Sequence, residues 1–471
     1  MMLFMTSMAW ADELIDGIYY SFNSYYEYAE VRKPSSGVYT GAITIPDFVH
    51  YDGKDYPVTE IGMNAFENST ITSIRLSANL ETIGQYAFKD CASLTSIELP
   101  EGLKKIESYA FSGSGITSVT IPGTVRSINS AFSGCTQLTS ITFAYSDNLT
   151  DDGWSSYGKG VLESYGFDDS PITDVVVDRP WHPNNSSSSS KPIFEQAKRV
   201  TFGPHATTIP SGMFKNQTTL ESLTIGANVT EIDGYYAFQN CQLPAGTNIP
   251  FSQFKKIGQY AFDGCTNIPT TLDLSAVEEI SDYAFENCKS IETLIIGGGT
   301  IGYYAFHGCE NITSITLKEG VTEIGSNNFS YLTNLASVKF PSTLKKIGPD
   351  AFAYCENMVA DGDLPEGLEV IDTRAFSNCK KLNVNIPSTV TEIGQSAFSH
   401  CESMEKVVIP AGVTSLGMYT FMYCKSLTSV TIPGTLLSMS TYEFSDCDNL
   451  TEVRFEKGDS PLSLGRGVFD A

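Results

Sequence analysis

A phenylalanine returns along this chain at a nearly fixed interval, and that period constrains the fold more than any other feature. In the pattern I-G-x-x-A-F-x-x-C the anchors are Phe66, Phe88, Phe111, Phe132, Phe167, Phe194, Phe214, Phe238 and Phe262. They continue at Phe285, Phe306, Phe329, Phe352, Phe376, Phe398, Phe421, Phe444 and Phe469. Eighteen anchors give seventeen intervals over 403 residues, a mean of about 23.7, and all but two intervals lie between 20 and 25. The exceptions are 35 residues from Phe132 to Phe167 and 27 from Phe167 to Phe194. One such unit buries too few apolar side chains to offset the ordering of its own backbone, so it must stack on copies of itself.

Two apolar patterns sit between anchors. L-T-S-I-x-I-P, at Leu94 to Pro100, Leu427 to Pro433 and less closely Leu220 to Ile225, reads as a short strand ended by a proline that has no N–H for a ladder. V-T-E-I-G, at Val58 to Gly62, Val321 to Gly325 and Val390 to Gly394, reads as a second short strand, with the glycine permitting a bend after it. The expected fold is a mainly β leucine-rich-repeat solenoid, right-handed, continuous from about residue 58, with few or no long helices. Residues 12–57 form an amino-terminal β cap, 58–471 the repeat stack, and about 144–198 an irregular insertion.

The units I-G-Q-Y-A-F-K-D-C (83 to 91) and C-K-S-L-T-S-V-T-I-P (424 to 433) resemble the BspA-like class of leucine-rich repeats. D-G-I-Y-Y-S-F (16 to 22), G-A-I-T-I-P (41 to 46) and Y-D-G-K-D-Y-P-V-T-E-I-G (51 to 62) resemble the β segment that opens such proteins. The resemblance implies adhesion or ligand binding outside the cell, to host or microbial surface proteins and also to glycans. It implies no catalytic residue and no cofactor. The chain departs from the general repeat after L-x-x-L-x-L, where Asn or Cys is expected and Gly102 stands; here the cysteine precedes the next strand.

Composition narrows the partners. Lys+Arg 29 against Asp+Glu 54 gives a net charge of -25, which repels phosphate backbones and anionic lipid and argues against nucleic-acid and direct membrane binding. Residues 1–11, MMLFMTSMAWA, resemble the back half of a secretory signal peptide ending in A-x-A, clipped of its positive start. No later stretch approaches eighteen apolar residues, so no transmembrane helix is expected. Export, to the medium or the cell surface, follows. All eleven cysteines sit three residues after an anchor, in equivalent slots that Ser69, Ser114 and Leu332 fill elsewhere. Equivalent side chains in a stack point in parallel, against the disulfide dihedral, so a ladder of buried free thiols is expected.

Chemistry is sparse. The five histidines are scattered over separate units, and no H-E-x-x-H, C-x-x-C or G-x-S-x-G occurs, so an enzyme is not expected. The run Asp147 to Gly153 has acidic density at the wrong spacing for a calcium loop. Two aromatic features remain. Tyrosine stands two before the anchor in nine of eighteen units, four of them consecutive: Tyr236, Tyr260, Tyr283 and Tyr304, with Tyr235 and Tyr303 beside them. Such a row grips a ligand through apolar area plus hydroxyls, or simply packs over the turn. Trp154 and Trp181 fall in the irregular stretch beside the tract Ser186 to Ser190, where loops on a rigid scaffold bind partners or merely cover the core.

The leading functional expectation is a secreted, adhesin-like binding module. The runner-up is a passive surface spacer, to which the threonine-rich middle positions of the strands (Thr120, Thr142, Thr224, Thr316, Thr431) lend weight. Because the chain stops two residues past Phe469 with no polar cap, the intact protein is expected to continue beyond Ala471.

Overall fold

The computed structural model describes residues 12–128, 130–147, 167, 169–181, 194–232 and 234–470. The signal-like segment, Trp154 and the serine tract lie outside them.

The opening strands Glu13–Ile15, Ile18–Asn23 and Tyr28–Arg32 form an antiparallel meander. Its first hairpin closes through Asp16 and Gly17, both with positive φ (49° and 84°), as a two-residue turn between right-twisted strands requires. A second hairpin pairs Phe48–Tyr51 with Lys54–Ile61. Strand Lys54–Ile61 also runs parallel to Tyr28–Arg32 and to Thr82–Ile83. The strand that ends the cap therefore starts the stack, running through the boundary expected at 57/58.

Contacts divide the chain into two compact units: the described residues up to Pro210 with Thr219–Val229, and Ser211–Thr218 with Thr230 onward. In the first, Ser118–Ile121, Ser140–Phe143, Asp174–Val177, Arg199–Phe202 and Ser222–Ile225 form a parallel sheet with one strand per turn. Equivalent positions pair, as stacking like units dictates: Val119 faces Ile141, and Ile141 faces Val175. In the second unit Thr271–Leu274, Thr293–Ile296, Ser314–Leu317, Ser337–Lys339 and Val359–Ala360 do the same, followed by Lys406–Val408, Ser429–Ile432 and Glu452–Phe455. Among the described residues the one helical element is the 3-10 turn Phe251–Gln253. Each unit is thus a mainly β repeat stack.

The V-T-E-I pattern yields strands of only two residues, among them Glu231–Ile232, Lys256–Ile257, Glu279–Ile280 and Thr300–Ile301. Their isoleucines pair in register. Opposite charges alternate beside them, with Lys256 Nζ 3.1 Å from a Glu279 carboxylate oxygen. One expected strand is missing: Leu94 to Pro100 carries no ladder. Pro100 has no N–H to give, and of this segment's carbonyls the Thr95 oxygen accepts Thr117 N from the next turn at 3.1 Å.

The anchors from Phe66 to Phe444 are buried, and they stack face on face: Phe66–Phe88, Phe88–Phe111 and Phe111–Phe132 lie 5.1, 5.1 and 5.0 Å apart in the first unit. In the second, Phe238, Phe262 and Phe285 follow at 4.9 and 5.1 Å. Most anchor N–H groups donate to the carbonyl of the residue before the next anchor, as Phe262 does to Ala284 at 2.7 Å and Phe421 to Glu443 at 2.9 Å. All eleven cysteines are free and buried. The slot wants more than a small residue. Cys91 Sγ donates to the Phe66 carbonyl at 3.0 Å, where Ser69 N–H already donates, so the thiol fills the oxygen's second lone pair. Ser170, in the same slot, donates to Phe132 at 2.7 Å.

The bend at V-T-E-I-G is not made by its glycine, contrary to expectation. A Cβ at Gly84 would sit 2.9 Å from the Ile61 carbonyl oxygen, and one at Gly258 2.2 Å from that of Gly234, so this position is glycine because adjacent turns approach there. Two later residues make the bend, two before and two after each anchor, both in the left-handed region. Examples are Tyr260 and Gly264 (φ 54° and 63°) about Phe262, and Tyr283 and Asn287 (58° and 57°) about Phe285.

Candidate ligand-binding site

Among the described residues each tyrosine two before its anchor holds positive φ, between 54° and 65° for Tyr236, Tyr260, Tyr283 and Tyr304, a conformation that costs a non-glycine residue about 1–2 kcal/mol. Every one donates its N–H to the next turn, Tyr260 to the Asp282 carbonyl at 3.2 Å and Tyr283 to that of Tyr303 at 2.9 Å. The turn aims the four side chains alike. Their rings stack at 5.1, 4.7 and 5.2 Å with interplanar angles of 21°, 5° and 4°. The row expected from spacing is therefore a ladder.

Stacking changes what the ladder can offer. Ring faces are covered by neighbours, and the outer face of Tyr236 lies under Lys215 Nζ at 4.1 Å from the centroid. All four rings are half-buried, so edges and hydroxyls meet solvent. Burial, then the neighbouring phenols, raise the Tyr260 hydroxyl above its ordinary value, and the same causes raise Tyr283. The Tyr260 and Tyr283 hydroxyls stay neutral donors and acceptors through the physiological range.

Beside the ladder runs an open groove of about 480 Å³. Its floor follows the position four before each anchor, bare at Gly234, Gly258 and Gly302 and carrying only the short Ser281 between them. The walls carry Tyr235, Lys256, Gln259, Glu279 and Asp282. Asp282 Oδ1 accepts the Tyr303 N–H at 2.8 Å, and Ser281 Oγ donates to Glu279 at 3.4 Å. Tyr235 is 47% exposed and Tyr303, next to Gly302, 59%.

Sequence reasoning placed Tyr235 and Tyr303 beside the ladder without giving them a role, and it missed the groove. The signal lies three before each anchor. Over the first six turns of the second unit that position reads Ser211, Tyr235, Gln259, Asp282, Tyr303, Ser326, with tyrosine at two turns and polar residues at the other four.

Trp181 requires a correction. Read from sequence as either a ligand contact or a cover for the core, it is fully buried (0% exposed), its indole 4.9 Å from the Phe143 ring and 6.1 Å from Phe194, which removes the first reading. Where the repeat lengthens, the largest apolar side chain fills the wider interior, leaving nothing for a ligand. Among the described residues no group of three His, Cys, Asp or Glu is placed to hold a metal, and no helix is long and apolar enough to cross a membrane.

No curated protein matches the chain. Among solved structures, a leucine-rich repeat protein from Bacteroides ovatus is 22% identical, covering 84% of this chain and 94% of its own, with a TM-score of 0.43. A leucine-rich repeat protein of T. pallidum is 33% identical over 33% of this chain and 75% of its own, TM-score 0.31. A leucine-rich cell surface protein from Faecalibacterium prausnitzii is 20% identical over 96% of this chain and 97% of its own, TM-score 0.26. The model of the BspA-type leucine-rich repeat region matches residues 59–170, 156–244, 234–359 and 360–470. Its matches cover the run of anchors from Phe66 to Phe469, and the chain belongs to the BspA-type leucine-rich repeat family.

Proposed function

We propose that the protein is an exported, adhesin-like binding scaffold that captures a ligand outside the cell through the aromatic face of its second unit. The observation that carries this reading is local. Stacked Tyr236, Tyr260, Tyr283 and Tyr304 present half-exposed edges, and Tyr235 and Tyr303 protrude beside them where the flanking and intervening turns carry Ser211, Gln259, Asp282 and Ser326. Exposed tyrosine suits capture because it offers apolar area and a hydroxyl with few rotors to freeze. The apolar opening segment ending in Ala9-Trp10-Ala11 supports export, and the net charge of -25 disfavours anionic partners.

The passive-spacer reading rests on the sheet face, where threonine recurs at Thr120, Thr142, Thr224, Thr316 and Thr431 and charged residues such as Asp273, Lys339 and Arg454 interrupt it. Capture separates the two. The full chain is offered to extracellular-matrix and bacterial-surface preparations beside a variant in which the four ladder tyrosines are asparagine, the residue Asn64 and Asn327 carry in the same slot. Capture by the parent, lost in a variant that stays folded with no more than the modest stability loss expected from unstacking the rings, supports the proposal. Equal behaviour of the two chains favours the spacer, and a large drop in melting temperature marks the rings as packing residues.

A further inference from the structure

We infer that the groove between Tyr235 and Tyr303 is a subsite for a neutral oligosaccharide laid along the turns. This deepens the binding reading above and rests on it.

Shape comes first. The groove is open because Gly258 and Gly302 carry no side chain where adjacent turns approach, and the turn between them carries only the short Ser281. What sets this stretch apart is the row above it, where two exposed tyrosines bracket Gln259 and Asp282. Three turn spacings of ~4.8 Å set the two phenols roughly 14 Å apart, the reach of a short saccharide rather than of one sugar. Unlike the ladder rings, Tyr235 and Tyr303 are not sandwiched by neighbours: the Tyr235 ring tilts 39° from Tyr236 at 6.0 Å. A free phenol face fits the C–H face of a pyranose.

Polarity then selects the class. Between the two rings the Gln259 amide has no hydrogen-bond partner among the described residues, and Asp282 spends one oxygen on Tyr303 N–H. Lys256 and Glu279 neutralise each other at 3.1 Å. Amide, carboxylate and ammonium groups converging on a shallow groove match hydroxyls that both donate and accept. There is no deep apolar pocket for the buried anchor on which protein interfaces depend. Sulfated, sialylated or phosphorylated chains meet a local excess of carboxylates in a protein of net charge -25.

The test is the full chain on an array of neutral and anionic oligosaccharides of one to six residues, with calorimetry on any neutral binder. Tyr235→Ser with Tyr303→Ser, serine being the residue at positions 211 and 326, is compared with Tyr86→Asn and Tyr109→Asn in the first unit. The expected result is a neutral binder whose affinity rises with length to about three or four residues, weakened on the order of tenfold or more by the serine pair. The asparagine pair leaves affinity unchanged, and both variants keep the melting temperature. Binding of anionic glycans alone, binding insensitive to the serine pair, or no binding at millimolar ligand overturns the inference. If matrix capture is still lost in the ladder variant, only the saccharide subsite falls; if capture fails too, so does the binding reading.

Discussion

The Cys288 thiol donates to the carbonyl of Phe262, one turn earlier, at 2.9 Å, and the same oxygen accepts the Cys265 N–H of its own turn at 2.8 Å. The thiol thus fills the second lone pair of a buried carbonyl whose first is already taken. Cys288→Ala removes it and is expected to cost about 1–2 kcal/mol, a lost buried hydrogen bond plus a small void. Cys288→Ser keeps a donor, as Ser170 does toward Phe132, and should cost less. Urea unfolding of the two variants checks the order; an alanine variant as stable as the serine one would remove the carbonyl from the explanation.

Alkaline stability follows from the same ladder. Burial pushes the Cys309 and Cys355 thiols up to about 12, while an unfolded thiol ionises near its ordinary value of 9. Above that value the unfolded chain sheds protons that the folded one keeps, so stability is full below pH 9 and falls between 9 and 12. Melting temperature should therefore decline from about pH 9 upward, and less steeply in a Cys309→Ser, Cys355→Ser variant. Thiol reagent should find the native protein nearly inert at neutral pH and all eleven cysteines after denaturation.

Period, strands and thiol ladder were legible in the sequence because each repeats and because stacking leaves like residues in like places. The bend was not. Glycine at Gly84 or Gly258 suggests conformational freedom, yet its role is turn-to-turn approach, which only the neighbouring turn reveals. Tyr260 or Asn287 gives no hint of positive φ until the turn is built. Trp181 could be read either as a loop contact or as cover for the core, and only its packing against Phe143 decides for the core. The row of Tyr236, Tyr260, Tyr283 and Tyr304 was readable from spacing alone; that stacking hides the faces and leaves Tyr235 and Tyr303 as the open ones required geometry.

Glu443 occupies the slot that is alanine before most anchors, and it is fully buried. One oxygen accepts Ser440 N–H, the other has no partner, and burial pushes the carboxyl up to about 7 from 4.5. The folded protein therefore favours the neutral acid. Its stabilising contribution is full below pH 4.5 and is lost as pH rises toward 7. Glu443→Gln stays neutral while keeping the acceptor for Ser440. It should match the parent near pH 4.5 and exceed it by on the order of 2 kcal/mol at pH 8. Parallel denaturation midpoints across that range would refute the assignment.

Tyr283 sits at φ 58° with rings at 4.7 and 5.2 Å on its two faces, so the ladder sets two opposed effects against each other. Left-handed backbone costs about 1–2 kcal/mol for an ordinary residue, and two stacking contacts return about 0.5–1.5 kcal/mol each. Tyr283→Phe keeps both and should be nearly neutral in stability. Tyr283→Asn gives up the stack but eases the backbone, as Asn64 and Asn327 do in the same slot, and should lose no more than about 1–2 kcal/mol. Tyr283→Val combines a lost stack with a β-branched residue at positive φ, so its loss should be the largest. Chemical denaturation of the three variants reads the order directly. A valine variant as stable as the asparagine one would mean that the backbone at this position relaxes away from the left-handed region, and that ring stacking alone holds the four tyrosines in line.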